Sequence, residues 1–151
     1  MDRSQDLAAL ETKLETYRQA WLHSDIEQFM SLWDRSYPLL TYMPMERAEI
    51  MHDWDSIVRY WQTILPITRM QQWDVESMLV DFLTPDIAWV FCQHSFAYRV
   101  TDGTQIGLQA YRGRTTHVFH RVGADWLTVH YEDSIQWFAS SDVARRAAES
   151  K

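Results

Sequence analysis

The sequence predicts an α+β fold, with helices first and a long antiparallel meander after them. Two observations carry this. Up to residue 65 the apolar residues recur at three- and four-residue spacing, and from about residue 68 the period changes to two. The alternating stretches are then separated by turn signals at Thr84-Pro85-Asp86, Asp102-Gly103 and Gly123-Ala124.

Each element has its own signal. Ser4 can cap a first helix in which Leu7, Leu10, Leu14, Tyr17 and Trp21 share one face. Ser24-Asp25-Ile26-Glu27 has the form of a capping box and opens a second helix through Phe29, Leu32 and Trp33. Pro38 and Pro44 bracket the run LLTYM, a short strand. Asp53 and Ser56 start a third helix whose apolar face holds Ile57, Val58, Trp61, Ile64 and Leu65, with Pro66 as the stop. Four strands follow, at about 68–84, 87–101, 104–122 and 125–137. Residues 1–137 read as one domain, and the polar, alanine-rich tail 138–151 as partly helical or disordered.

Composition narrows the function classes. A chain of 151 residues with 46% hydrophobic content can bury a core in a single domain. A net charge of −7, with no cluster of Lys and Arg, argues against nucleic-acid or anionic-membrane partners. The single cysteine, Cys92, excludes an internal disulfide and fits a reducing compartment. The stretch MDRSQDLAAL has no apolar core of a signal peptide, and nothing is apolar enough to span a bilayer, so a cytoplasmic location is expected. Phosphate loops, Gly-rich nucleotide fingerprints and a Ser-His-Asp order are missing, which leaves small organic molecules as ligands. Eight Trp, seven Tyr and six Phe either fill the core or line a cavity for flat ligands.

Turn geometry places the strand residues on faces. If Gly123-Ala124 is a two-residue loop, Val122 faces Asp125, His117 faces His130 and Thr115 faces Glu132. Directly opposed side chains lie roughly 4.5–5.5 Å apart at Cβ and share a face. If Asp102-Gly103 is a second such loop, Ala88 faces His117, Val90 faces Thr115, Cys92 faces Gly113 and His94 faces Tyr111. Small apolar residues beside the histidines suit a pocket better than a wet surface. A bulge near Gly113 would reverse part of this face, and the turn at Thr84-Pro85-Asp86 leaves two registers open.

Several of these pieces also form a known pattern. Trp21-x-x-x-Asp25 leads into the second helix, and Asp53 to Trp61 forms the third. Arg114-x-Thr116-x-Val118-Phe119 follows, and Trp126-Leu127-x-Val129-His130-x-Glu132-x-Ser134 comes after the hairpin. Across about residues 5 to 137 the chain resembles the nuclear transport factor 2-like superfamily, in its SnoaL-like, ketosteroid isomerase-like and kinase-association-domain branches. Relatives often read Trp-x-x-x-His-x-His-x-Ser at the last site, where Glu132 here stands for the second histidine. The resemblance implies a cone-shaped fold, three helices closing over a curved antiparallel sheet with a pocket inside, and a homodimer formed through the sheet. The family's members include isomerases, cyclases, dehydratases, epoxide hydrolases and non-enzymatic binding or assembly modules, so fold does not settle function.

Within that frame His117, His130 and Glu132 are the candidate acid–base set. A carboxylate in an apolar cavity is pushed up in pKa, and a neighbouring imidazolium pushes it back. Such a set suits isomerisation, cyclisation or dehydration next to a carbonyl, with no cofactor and no metal. Binding without turnover, or simple hydrogen bonding that holds the sheet, uses the same residues. Two histidines and a carboxylate could also hold iron, zinc or manganese, although the spacing has no metal-binding motif. The ligand-binding candidates are Trp33, Tyr42 and Trp61 from elements facing the cavity, and Val90, His94, Tyr111, Thr115 and Thr128 from the strands. For Trp33, Tyr42 and Trp61, core packing is the competing role. Cys92 has no adjacent base and reads as inert. Arg114, Thr116 and Val118 lie on the opposite face, expected to be the partner-subunit surface together with Leu127, Val129, Tyr131, Ile135, Trp89 and Phe91.

Overall fold

The computed structural model describes residues 3–101, 103 and 108–135. Three helices, α1 (Arg3–His23), α2 (Ile26–Ser31) and α3 (Trp54–Ile64), pack on a five-stranded sheet. Its strands are β1 (Thr41–Met43), β2 (Thr68–Phe82), β3 (Ile87–Val100), β4 (Gln109–Val122) and β5 (Asp125–Ile135), in the order β1-β5-β4-β3-β2. This is the α+β cone the sequence suggested, with one correction: β1 runs parallel to β5, so the sheet is mixed rather than antiparallel. The tail 138–151 lies outside the described residues, as does Asp102 of the expected Asp102-Gly103 turn. No described helix is long and apolar enough to cross a membrane.

The helix faces follow from spacing. Leu10, Leu14, Tyr17 and Ala20 are buried along α1, while Leu7, one turn nearer the N-terminus, is exposed. Asp53 caps α3, its Oδ1 accepting from the Ser56 amide at 2.8 Å, and buries Ile57, Tyr60 and Trp61 behind it. The second cap differs from the capping-box reading. Ser24 has a positive φ of 53° and closes α1, its amide donating to Trp21 O and the Asp25 amide to Ala20 O. Asp25 is the cap, accepting from the Gln28 amide at 3.0 Å.

The core has two parts. Leu10 and Leu14 of α1 cover Ala88, Val90, Cys92, Phe119 and Trp126 at one end of the sheet. Tyr17, Phe29, Trp33, Trp61 and Tyr131 belong to the larger cluster at the other end.

Two registers decide where the site lies. Between β4 and β5 the tight turn pairs Val122 with Asp125 and Phe119 with Thr128, as expected. Then the ladder slips by one: Val118 pairs with His130, leaving Val129 as the extra residue of a bulge. Beyond it His117 faces Tyr131 and Thr115 faces Asp133, so the expected His117–His130 and Thr115–Glu132 pairs do not form. The physical reason is visible in the aromatic residues. Trp126 and Tyr131 are five apart and would fall on opposite faces of a regular strand, yet both are buried. Burying a large apolar side chain stabilises by roughly 1.5–3 kcal/mol, enough to favour the bulge over one exposed aromatic.

Between β3 and β4 the connection is longer than two residues. Ala88 faces Phe119, Val90 faces His117, Cys92 faces Thr115 and His94 faces Gly113, each displaced by two from the expected partner. A shift of two keeps every side chain on its expected face.

Candidate active site

The cavity opens at the end of the cone away from the tight turn, and its volume is about 250 Å³. Period two on β3 puts His94, Phe96 and Tyr98 along one wall, and β2 adds Met70 and Trp73. Helix α3 contributes Tyr60 and Ile64, α1 contributes Trp21, and β1 contributes Tyr42. Met45 and Glu46, just after β1, form the rim, and the far wall is Tyr131 and Asp133 of β5.

Asp133 is the chemical centre of this wall. Its Oδ1 accepts from the Met45 amide, and its Oδ2 accepts from the Tyr131 hydroxyl at 3.1 Å. Burial pushes its carboxyl up to about 7, and the nearby Glu46 charge adds to this against the two hydrogen bonds. Glu46 accepts a hydrogen bond from the Tyr60 hydroxyl. Burial also holds the hydroxyls of Tyr42, Tyr60 and Tyr131 well above the usual phenol range, so they stay protonated.

His94 lies flat between Trp73 and Phe96, with ring centroids 5.4 and 5.2 Å away. It is buried, its Nδ1 has no hydrogen-bond partner among the described residues, and burial brings its pKa down to about 4. It is therefore a neutral imidazole at physiological pH. Gly113 makes its position possible: a Cβ there would stand 2.6 Å from Ser134 O and 3.0 Å from the His94 ring.

The sequence-derived residues divide between cavity, core and surface. Tyr42 and His94 line the cavity. His117 is buried behind its far wall, edge-on to Tyr17 and Tyr131 and stacked on Phe119, with neither ring nitrogen bonded among the described residues. Burial lowers its pKa to about 3. His130 and Glu132 point to the outer face of the sheet, away from His117. His130 Nδ1 lies 2.6 Å from the Thr41 hydroxyl at the β1–β5 seam, and Glu132 is exposed. The expected triad is thus split across the sheet by the Val129 bulge.

Trp33 and Trp61 are core residues, Trp61 stacked on Phe29 at 5.1 Å. Val90 belongs to the core cluster under α1, and Thr115 and Thr128 are buried. Tyr111 packs on Phe96 and Tyr98 behind the cavity wall. Val129 and Tyr131, expected on the partner surface, are interior. Cys92 is buried, and its thiol is pushed up to about 11. Among the described residues, no three His, Cys, Asp or Glu side chains are placed to hold a metal ion.

Asp133, Glu46, Tyr60, Phe96 and Tyr98 were not singled out from the sequence. Phe96 and Tyr98 share the parity of His94 and were within reach of the same argument. Asp133 needed the bulge.

The sequence profile described as "SnoaL-like domain" matches residues 10–137. The chain belongs to the SnoaL-like domain family. Solved structures agree on the fold of this SnoaL-like domain. A nuclear transport factor 2-like superfamily protein from Salmonella enterica serovar Typhimurium matches with a TM-score of 0.76 at 15% identity, over 93% of this chain and 97% of that one. A candidate dehydratase of the nuclear transport factor 2-like family from Streptomyces avermitilis gives 0.74 at 18% identity, over 88% and 98%. A ketosteroid isomerase-like protein from Erwinia carotovora gives 0.71 at 14% identity, over 86% and 95%. At such identities the likeness is one of fold. No curated protein matches the chain.

Proposed function

We propose that this SnoaL-like protein binds a small, largely apolar organic molecule in the cavity and transfers a proton on it, as a cofactor-free isomerase or lyase with Asp133 as base and acid. The observation that carries this is Asp133 itself: a carboxyl in the wall of an aromatic cavity, poised near neutrality. A base of that strength is half ionised at the pH where it works, which suits abstraction of a proton beside a carbonyl. Asp133 would take the proton from carbon, and the same protonated carboxyl would return it to a neighbouring carbon or to a leaving hydroxyl. The protonated hydroxyl of Tyr42 is the donor for the oxygen that gains charge as the C–H bond breaks, since that of Tyr60 is already given to Glu46. His94, kept neutral, adds shape and a hydrogen-bonding nitrogen rather than a charge.

Proton abstraction can be read without knowing the natural product, as solvent-deuterium incorporation into small ketones by NMR. Asp133→Asn should lower that rate by about 10²–10⁴-fold, and Glu132→Gln by less than about twofold. Equal rates for Asp133→Asn and the parent would remove the catalytic role. A binding pocket without turnover would then stand, a reading favoured by the two protein donors already on Asp133.

The outer sheet face supports a homodimer. Leu79, Trp89 and Phe91 are exposed there beside Arg114 and Glu132, an apolar patch that a second copy would cover.

A further inference from the structure

The charges of the cavity wall are one-sided. Glu46 and Asp133 bring two carboxyls to it, and among the described residues that line it none is a lysine or arginine. The histidine in the wall, His94, is neutral. The rest is aromatic surface: Tyr42, Tyr60, Phe96 and Tyr98 present rings, with Trp21 and Trp73 beside them.

Ring faces carry negative partial charge and attract a cation within about 6 Å, more strongly where water is excluded. A carboxylate ligand would meet two acidic groups in a poorly solvated site, with no cationic side chain among the described lining residues to pair with. We propose that the cavity selects an organic cation, a protonated amine or quaternary ammonium on a small apolar body, with its charge seated between Glu46, Asp133 and the surrounding rings. This rests on the proposed function only in sharing its cavity, and it narrows the substrate class. The net charge of −7 favours the approach of cations.

The consequence for the chemistry is direct. Asp133 faces Glu46 across the rim, the hydroxyls of Tyr42, Tyr60 and Tyr131, Tyr17 behind them, and Glu132 next in the chain. None of these supplies a positive charge. An incoming cation therefore displaces the proton of Asp133 and leaves the carboxylate that proton abstraction requires.

The test uses three probes of one shape: benzyltrimethylammonium, its neutral isostere neopentylbenzene, and benzylsulfonate. Binding to the full chain is read from the fluorescence of Trp21 and Trp73, and proton release from calorimetry in buffers of different ionisation enthalpy. The ammonium should bind about tenfold or more tighter than the neutral isostere and release a proton at neutral pH, and the sulfonate should bind least. In the double variant Glu46→Gln/Asp133→Asn the ammonium preference should vanish while neopentylbenzene still binds, which shows the cavity intact. Equal or weaker binding of the ammonium, no binding of it at millimolar concentration, or tighter binding of the sulfonate would overturn the proposal. These readouts do not involve turnover, so cation selectivity and proton transfer can fail separately.

Discussion

Asp133 and His117 face each other's neighbourhoods across Tyr131, and burial acts on them in opposite directions. For Asp133 the folded carboxyl titrates near 7 against an ordinary value of 3.8. Between those values the folded chain holds a proton that the unfolded chain releases, so this contribution to stability is complete below about pH 4 and is lost as pH rises through 7. Asp133→Asn should therefore gain stability relative to the parent between about pH 4 and 7, by up to about 1.4 kcal/mol per pH unit, and keep a constant advantage above that. For His117 and His94 the folded values lie near 3 and 4, below the ordinary 6.5. There the unfolded chain binds more protons, so stability rises with pH across that window. His117→Phe, which keeps the contacts with Tyr17, Phe119 and Tyr131, should flatten the acid limb of a urea-unfolding series between about pH 3 and 6.5. An unchanged acid limb would show that His117 titrates alike in the folded and unfolded chain, against the lowered value that burial implies.

At the scale of elements, much was legible because the signals are local. The spacing of Leu10, Leu14 and Tyr17 sets the buried face of α1, and Asp53 marks the start of α3. Gly123, at φ 63°, fixes the first pairs of the last hairpin. The candidate site was less legible because it depends on one residue. Val129 adds a single step to β5, and every side chain beyond it changes face, exchanging His130 and Glu132 for Tyr131 and Asp133. The one local hint is the five-residue interval between Trp126 and Tyr131, which no regular strand can bury on one side. The parallel β1–β5 pairing left no local signal, since its partners are about 90 residues apart in the chain. Close packing at Gly113 yields an expectation of its own. Gly113→Ala would drive a methyl against Ser134 O and the His94 ring, so it should cost roughly 1–3 kcal/mol in denaturant unfolding and disturb ligand fluorescence at Trp73. A neutral substitution would mean that β4 and β5 can spread without penalty.

Over the whole molecule the two core clusters divide the work. The cluster under α1 closes one end of the cone, and the aromatic cluster around Trp61 and Tyr131 supports the open end, where the cavity lies. The outer sheet face is left with Leu79, Trp89 and Phe91 in the open. If two copies meet there, Leu79→Glu with Phe91→Glu should give a monomer by light scattering at micromolar concentration while leaving the cavity able to bind. A parent chain that is already monomeric would remove the dimer. The central claim, however, concerns a single proton. The most direct measurement is a carbon-13 NMR titration of the Asp133 carboxyl in the folded protein, assigned by its loss in Asp133→Asn. A midpoint near 7 is expected; a midpoint near 4, the ordinary carboxylate range, would contradict the assignment of Asp133 as the proton-transfer group.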